Sequence, residues 1–133
     1  MEVKEILNPK YLLTGLGVIF VILSLGNFIA AEGSAEAAWG DDYTDRDVFY
    51  EQAWGMNSMP MAVMAIVAGM LVTGRQQAIL AIAAAGAMMV SFAILYPAGT
   101  DVDYGFMTPV TMVVPSLLLV LVGVSGYLHL EDE

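Results

Sequence analysis

The chain has 133 residues, 59% hydrophobic and 14% charged, a balance that suits one domain with its surface turned to lipid. It contains no cysteine, which excludes disulfides, thiolate metal sites and a dithiol redox role. A formal net charge of −10 opposes nucleic acid and anionic headgroups as partners, while drawing cations or a basic protein surface.

Four stretches without a charged residue, 11–31, 52–74, 76–100 and 104–130, follow almost without interruption. At ~1.5 Å of rise per residue, each can cross the ~30 Å hydrocarbon core of a bilayer, which takes about 20 apolar residues. The expected fold is therefore an all-α integral membrane protein. It would be an antiparallel bundle of four transmembrane helices at about 9–31, 46–73, 78–97 and 106–128, forming one domain over 1–133 with an acidic, aromatic-rich outer loop.

The first helix begins at Asn8-Pro9, an N-cap followed by a proline where its missing N–H costs nothing. Lys4 and Lys10 before an apolar run, with Ala35-Glu36-Ala37 after it, have the outline of a signal peptide. The run exceeds a usual signal-peptide core, so a retained first helix is expected. Residues 32–44 read as the largest outer loop, with a short helical turn around 35–39. Thr44-Asp45-Arg46-Asp47 has capping-box spacing and starts the second helix outside the membrane. Trp39, Tyr43, Phe49, Tyr50, Trp54, Tyr96, Tyr104 and Phe106 then form an aromatic belt at the outer interface.

Gly74-Arg75-Gln76-Gln77 is a tight turn that makes a hairpin of the second and third helices. Small residues at every fourth position, Ala65, Gly69 and Thr73 on one and Ala83, Ala87 and Ser91 on the other, are expected to let the two backbones touch. The third helix should stop near Tyr96-Pro97-Ala98-Gly99. The fourth carries Pro115 and leaves His129 solvated at the membrane edge.

Lys4, Lys10 and Arg75 share one side and Arg46 alone lies on the other, which places both termini in the cytoplasm, most simply at the plasma membrane. The outer face then carries nine carboxylates, Glu51 among them, as a solvated acidic surface. The cluster Asp41, Asp42, Asp45 and Asp47 lacks the spacing and glycine of an EF-hand loop, so only loose cation binding is expected.

No charged residue lies within the four stretches, which argues against a proton-coupled pump. No nucleophile, base and orienting group can be assembled around the single histidine, so neither enzymatic activity nor a cofactor is expected. Asn27 and Asn57 fall at similar depth and are expected to clamp to each other or, with Ser58 and Thr108, to line a polar vestibule. Met56, Met59, Met61 and Met64 offer soft thioethers suited to Cu(I), but methionine also fills irregular gaps, and packing is the expected role.

In helix count and loop lengths alone, the layout resembles many small four-helix membrane proteins, including those grouped around DoxX-like folds. The functional expectation is a non-enzymatic accessory or scaffold subunit whose partners are the lipid bilayer and other membrane subunits or further copies of itself, with no nucleic acid. The alternative is an oligomeric channel or transporter for a cation, copper among them, or a small neutral solute.

Overall fold

A computed structural model describes residues 2–132, and within them the regular secondary structure is α-helical. A short turn, α1 (Val3–Ile6), precedes α2 (Pro9–Ile29), α3 (Ala31–Trp39), α4 (Asp45–Leu71), α5 (Gly74–Asp101) and α6 (Pro109–Leu128). The four stretches Val3–Ile29, Asp45–Leu71, Gly74–Asp101 and Pro109–Leu128 are long and apolar enough to cross a membrane.

Local chemistry sets the helix ends. The Asn8 side chain accepts from the Lys10 N–H at 2.9 Å, with Pro9 at the first helical position. Thr44 closes its capping box, its N–H donating to Asp47 Oδ2 at 2.8 Å. Thr108 and Thr111 form a similar reciprocal cap on α6, so that helix begins at Pro109 and not at 106. Gly40, at φ +80°, ends α3 in a backbone region that favours glycine. The segment expected to be mostly loop is therefore largely a helix, whose buried face is Ala31, Ala35 and Ala38.

The third helix does not stop at Pro97. A proline removes only its own N–H and crowds the carbonyl four residues back, and the carbonyls beyond it remain usable. Here the Thr100 hydroxyl donates to Pro97 O at 2.9 Å, and the Tyr104 N–H donates to Gly99 O at 2.9 Å. The chain leaves the helix only past Asp101, turning at Asp103 with φ 56°.

Packing divides the long helices into two pairs, α2 against α4 and α5 against α6, with α2 also touching α5 and α6. The α2–α4 seam is built on bare backbone. A Cβ added at Gly17 would lie 2.6 Å from Ala62 O, one at Gly55 2.7 Å from Ser24 O, and one at Gly69 2.8 Å from Thr14 N. Gly55, Ala62 and Gly69 recur every seven residues along α4, as Gly17 and Ser24 do on α2. Seven residues are close to two helical turns, so each set forms one stripe along its helix. The second seam sets Ala78, Ala81 and Ala85 of α5 beside α6, where a Cβ on Gly126 would meet Ala78 O at 2.5 Å.

These seams correct the expected hairpin face. α4 and α5 share little surface despite their two-residue connection. Gly69 is buried, but against Lys10 and Thr14 of α2. Thr73 lies outside α4, as the N-cap of α5. Ala83, Ala87 and Ser91 are exposed, and Ser91 returns its hydroxyl to Ala87 O of its own helix. Closest approach goes to the stripe where glycine leaves the backbone bare. On α4 that is the seven-residue stripe facing α2.

One end of the molecule is tied by polar contacts. Gln77 is buried, and its Nε2 donates to Ala68 O at 3.1 Å and Gly69 O at 2.9 Å, satisfying carbonyls left open in the last turn of α4. Lys4 pairs with Asp132, joining α1 to the far end of the chain. His129, expected to be solvated, is buried with Nδ1 2.8 Å from Ser125 O. A carbonyl can only accept, so Nδ1 carries the hydrogen.

Candidate functional site

At the opposite end, a cap of α3 and the connection 102–108 closes over α2 and α4, with a carboxyl group at its centre. Glu51 lies in the second turn of α4, four residues before Gly55 on the same stripe, and is 0% exposed. Its Oε1 accepts from the Tyr104 hydroxyl at 2.8 Å and its Oε2 from Asn27 Nδ2 at 3.1 Å. Asn27 Oδ1 in turn accepts from the Ser34 hydroxyl at 3.0 Å. One chain of hydrogen bonds thus joins α2, α3, α4 and the α5–α6 connection.

Expected among the solvated outer acids, Glu51 is instead buried. Burial follows from the stripe. The residue one turn before a glycine pressed against α2 points into the same seam, and α3 then covers it. The four-residue spacing of Glu51 and Gly55 is the signal in the sequence, since it puts both on one face of α4.

The Tyr104 ring that holds the carboxyl group belongs to an aromatic cluster. Trp39 and Tyr104 have centroids 5.0 Å apart, Tyr50 stands edge-on to both at 6.4 and 6.2 Å, and Phe106 meets Tyr104 at 5.6 Å. Of the expected belt, these four rings cluster around the buried Tyr104, with Tyr50 and Phe106 still partly open to the outside, while Phe49 and Trp54 lie exposed apart from the cluster. Trp39 Nε1 is buried without a hydrogen-bond partner. The connection is drawn close by backbone as well: the Gly105 N–H donates to Ala38 O at 2.8 Å, and a Cβ at Gly105 would stand 2.6 Å from Ala37 O. Burial, and then the bond to Glu51, push the Tyr104 phenol well above its ordinary range, so it remains an O–H donor.

The cap has no internal cation. The Lys4–Asp132 ion pair and the contact of His129 with Asp132 lie at the other end. Glu51 is held by neutral donors alone, and a carboxylate in that state carries a large desolvation cost.

The expected amide clamp and vestibule do not form. Asn27 is taken by Glu51, a stronger acceptor than a second amide, while Asn57 is exposed on α4. Ser58 returns its hydroxyl to Trp54 O at 2.8 Å, and Thr108 is spent as the cap of α6. Met56, Met61 and Met64 are exposed and, with Met59, point to different sides of α4, so they build no common ligand set. Asp41, Asp42 and Asp45 are exposed, and among the described residues no three His, Cys, Asp or Glu side chains gather as a metal site. Ala65 lines a half-open cleft of about 60 Å³ with Leu16, Phe20, Met61, Met88 and Leu119, whose lining is almost wholly apolar.

Comparison with protein-family models, curated proteins and solved structures gives no match.

Proposed function

We propose that the chain crosses the bilayer four times as an antiparallel bundle, with both termini in the cytoplasm and the acidic, aromatic cap outside. In this reading it is an accessory or scaffold subunit of a larger membrane assembly. The observation that carries this is how the polar side chains within the long helices and cap are used. Of these, Asn27, Ser58, Gln77 and Thr108 are taken up by the protein's own hydrogen bonds, Ser24 Oγ and Trp39 Nε1 are buried without a partner, Asn57 is exposed, and the mid-helix cleft is apolar. A solute path needs polar groups along its length, whereas a scaffold needs packed internal seams and apolar outer faces. α2, α4 and α6 turn Ile22, Leu23, Met64, Leu71 and Val110 outward, available to lipid or to neighbouring subunits.

The rival is an oligomeric channel or transporter for a cation or small neutral solute. The buried Glu51, in the second turn of α4 just ahead of its charge-free stretch, is the observation in its favour, since acidic side chains at a pore's mouth select cations in many channels. Purification in mild detergent with mass spectrometry should recover stoichiometric membrane partners or a homo-oligomer, and proteoliposomes should stay tight to monovalent cations, Cu(I) and neutral solutes. Robust flux that disappears in Glu51→Gln overturns the scaffold reading. Orientation is tested by impermeant labelling of single cysteines: Gly33→Cys should react from outside and Gln76→Cys should not.

A further inference from the structure

We propose that Glu51 is a proton-controlled latch, which holds the cap of α3 and residues 102–108 closed while its carboxyl group is neutral and releases it on ionisation. α4 has 27 residues, about 40 Å of helix against a ~30 Å hydrocarbon core, so its first turns project beyond the spanning part. Glu51 lies in those turns, just ahead of the charge-free stretch 52–71.

The carboxyl group is isolated from compensating charge. It has no exposure and is bonded by uncharged groups, Asn27 of α2 and Tyr104 of the connection, and behind these stand Ser34 of α3, bonded to Asn27, and Trp39 of α3, against the Tyr104 ring. The nearest charged group on its own helix is Asp47, one turn earlier and of the same sign. Glu32, Glu36, Arg46, Asp101 and Asp103 are exposed. Ionisation therefore places a negative charge where no cation compensates it.

The hydrogen-bond chain also accepts either protonation state. With the carboxylate, Asn27 Nδ2 donates to Oε2 and Ser34 donates to Asn27 Oδ1. With the acid, a half-turn of the Asn27 amide lets Oε2–H donate to Oδ1 while the amide N–H donates to the Ser34 oxygen. The neutral form thus keeps every bond and carries no buried charge.

The cap is also a mechanical link. α4 shares little surface with α5, so the 102–108 connection is a principal link from the α5–α6 pair to α4 at this end. Its side-chain attachment to α4 runs through Tyr104 to Glu51, while the Gly105 N–H bond to Ala38 O ties the connection to α3 within the cap. Linkage sets the sign: if the closed cap holds the proton, each pH unit above the closed-to-open transition shifts the closed-to-open ratio by up to about tenfold toward open.

The test uses Trp39, which stacks on Tyr104, in a Trp54→Phe background that leaves it the single tryptophan, in nanodiscs between pH 4 and 9. Trp39 emission and acrylamide quenching should report a reversible opening with one midpoint as pH rises. Glu51→Gln, an isosteric stand-in for the neutral acid, should keep Trp39 shielded at every pH. Tyr104→Phe should move the midpoint to lower pH by weakening the closed state. A flat profile in the parent, or a Glu51→Gln profile with the parent's midpoint, overturns the proposal. Should Glu51→Gln not fold, an unshifted midpoint in Tyr104→Phe overturns it equally.

Discussion

The hydroxyl of Tyr104 stands 2.8 Å from Oε1 of Glu51, 53 residues earlier in the chain, and the bond is buried. It joins the α5–α6 connection to the second turn of α4. Tyr104→Phe keeps the ring against Trp39 and Phe106 but leaves a buried carboxyl oxygen without its donor. An unsatisfied buried polar atom costs about 1–3 kcal/mol. Unfolding in detergent, followed by circular dichroism, should show that loss.

The glycines separate into two classes by what a methyl group would meet. Gly17→Ala puts a carbon 2.6 Å from Ala62 O, a backbone atom that cannot swing aside, whereas a Cβ at Gly86 meets nothing within 4 Å. Forcing atoms into a filled seam costs about 1–3 kcal/mol. Replacing an open helical glycine by alanine gains up to about 1 kcal/mol. Gly17→Ala should therefore lower the melting temperature and Gly86→Ala leave it level or raise it; equal responses would contradict the α2–α4 seam. Ala87→Leu, on an exposed face, should leave the isolated chain's stability unchanged.

Gln77 secures the end of α4 by donating to two carbonyls with one amide nitrogen. Gln77→Ala removes the donor, with an expected loss of about 1 kcal/mol per bond. Gln77→Glu should be worse than alanine, because a carboxylate cannot donate and its charge opposes the negative end of the helix dipole. Hydrogen exchange at the last turn of α4 should rank the variants wild type, Ala, Glu in rising rate.

The contact of Lys4 with Asp132 depends on pH in a defined direction. Its hydrogen bond from Lys4 holds the Asp132 carboxyl below the ordinary 3.8. A group whose folded value is depressed contributes stability above its unfolded value and loses it as pH falls through the folded one. The tie between α1 and the C-terminal end should thus be intact at neutral pH and dissolve only below 3.8. The pair is only half-buried at the surface, where solvent screens it, so global stability should barely move. The Lys4 ammonium resonance in Asp132→Asn, compared with the parent across that range, checks the assignment.

What the amino-acid sequence determined by itself is the set of long apolar helices and several of their ends. Length and charge-free runs are properties of the chain alone, and the caps at Asn8 and Thr44 are made with residues two or three positions away. What only the tertiary structure decided is which side of each helix faces a partner. In a water-soluble protein, polarity marks the outer side, but where both sides are apolar that contrast vanishes, and two spacings of small residues on α4 compete on equal terms. The four-residue series through Ala65 and the seven-residue series Gly55, Ala62 and Gly69 share Gly69, and the backbone of α2 selects the second. The fate of Glu51 follows from the same selection: lying one turn before Gly55 on the chosen stripe, it is carried into the seam, where Asn27 and Tyr104, distant in the chain, become its partners.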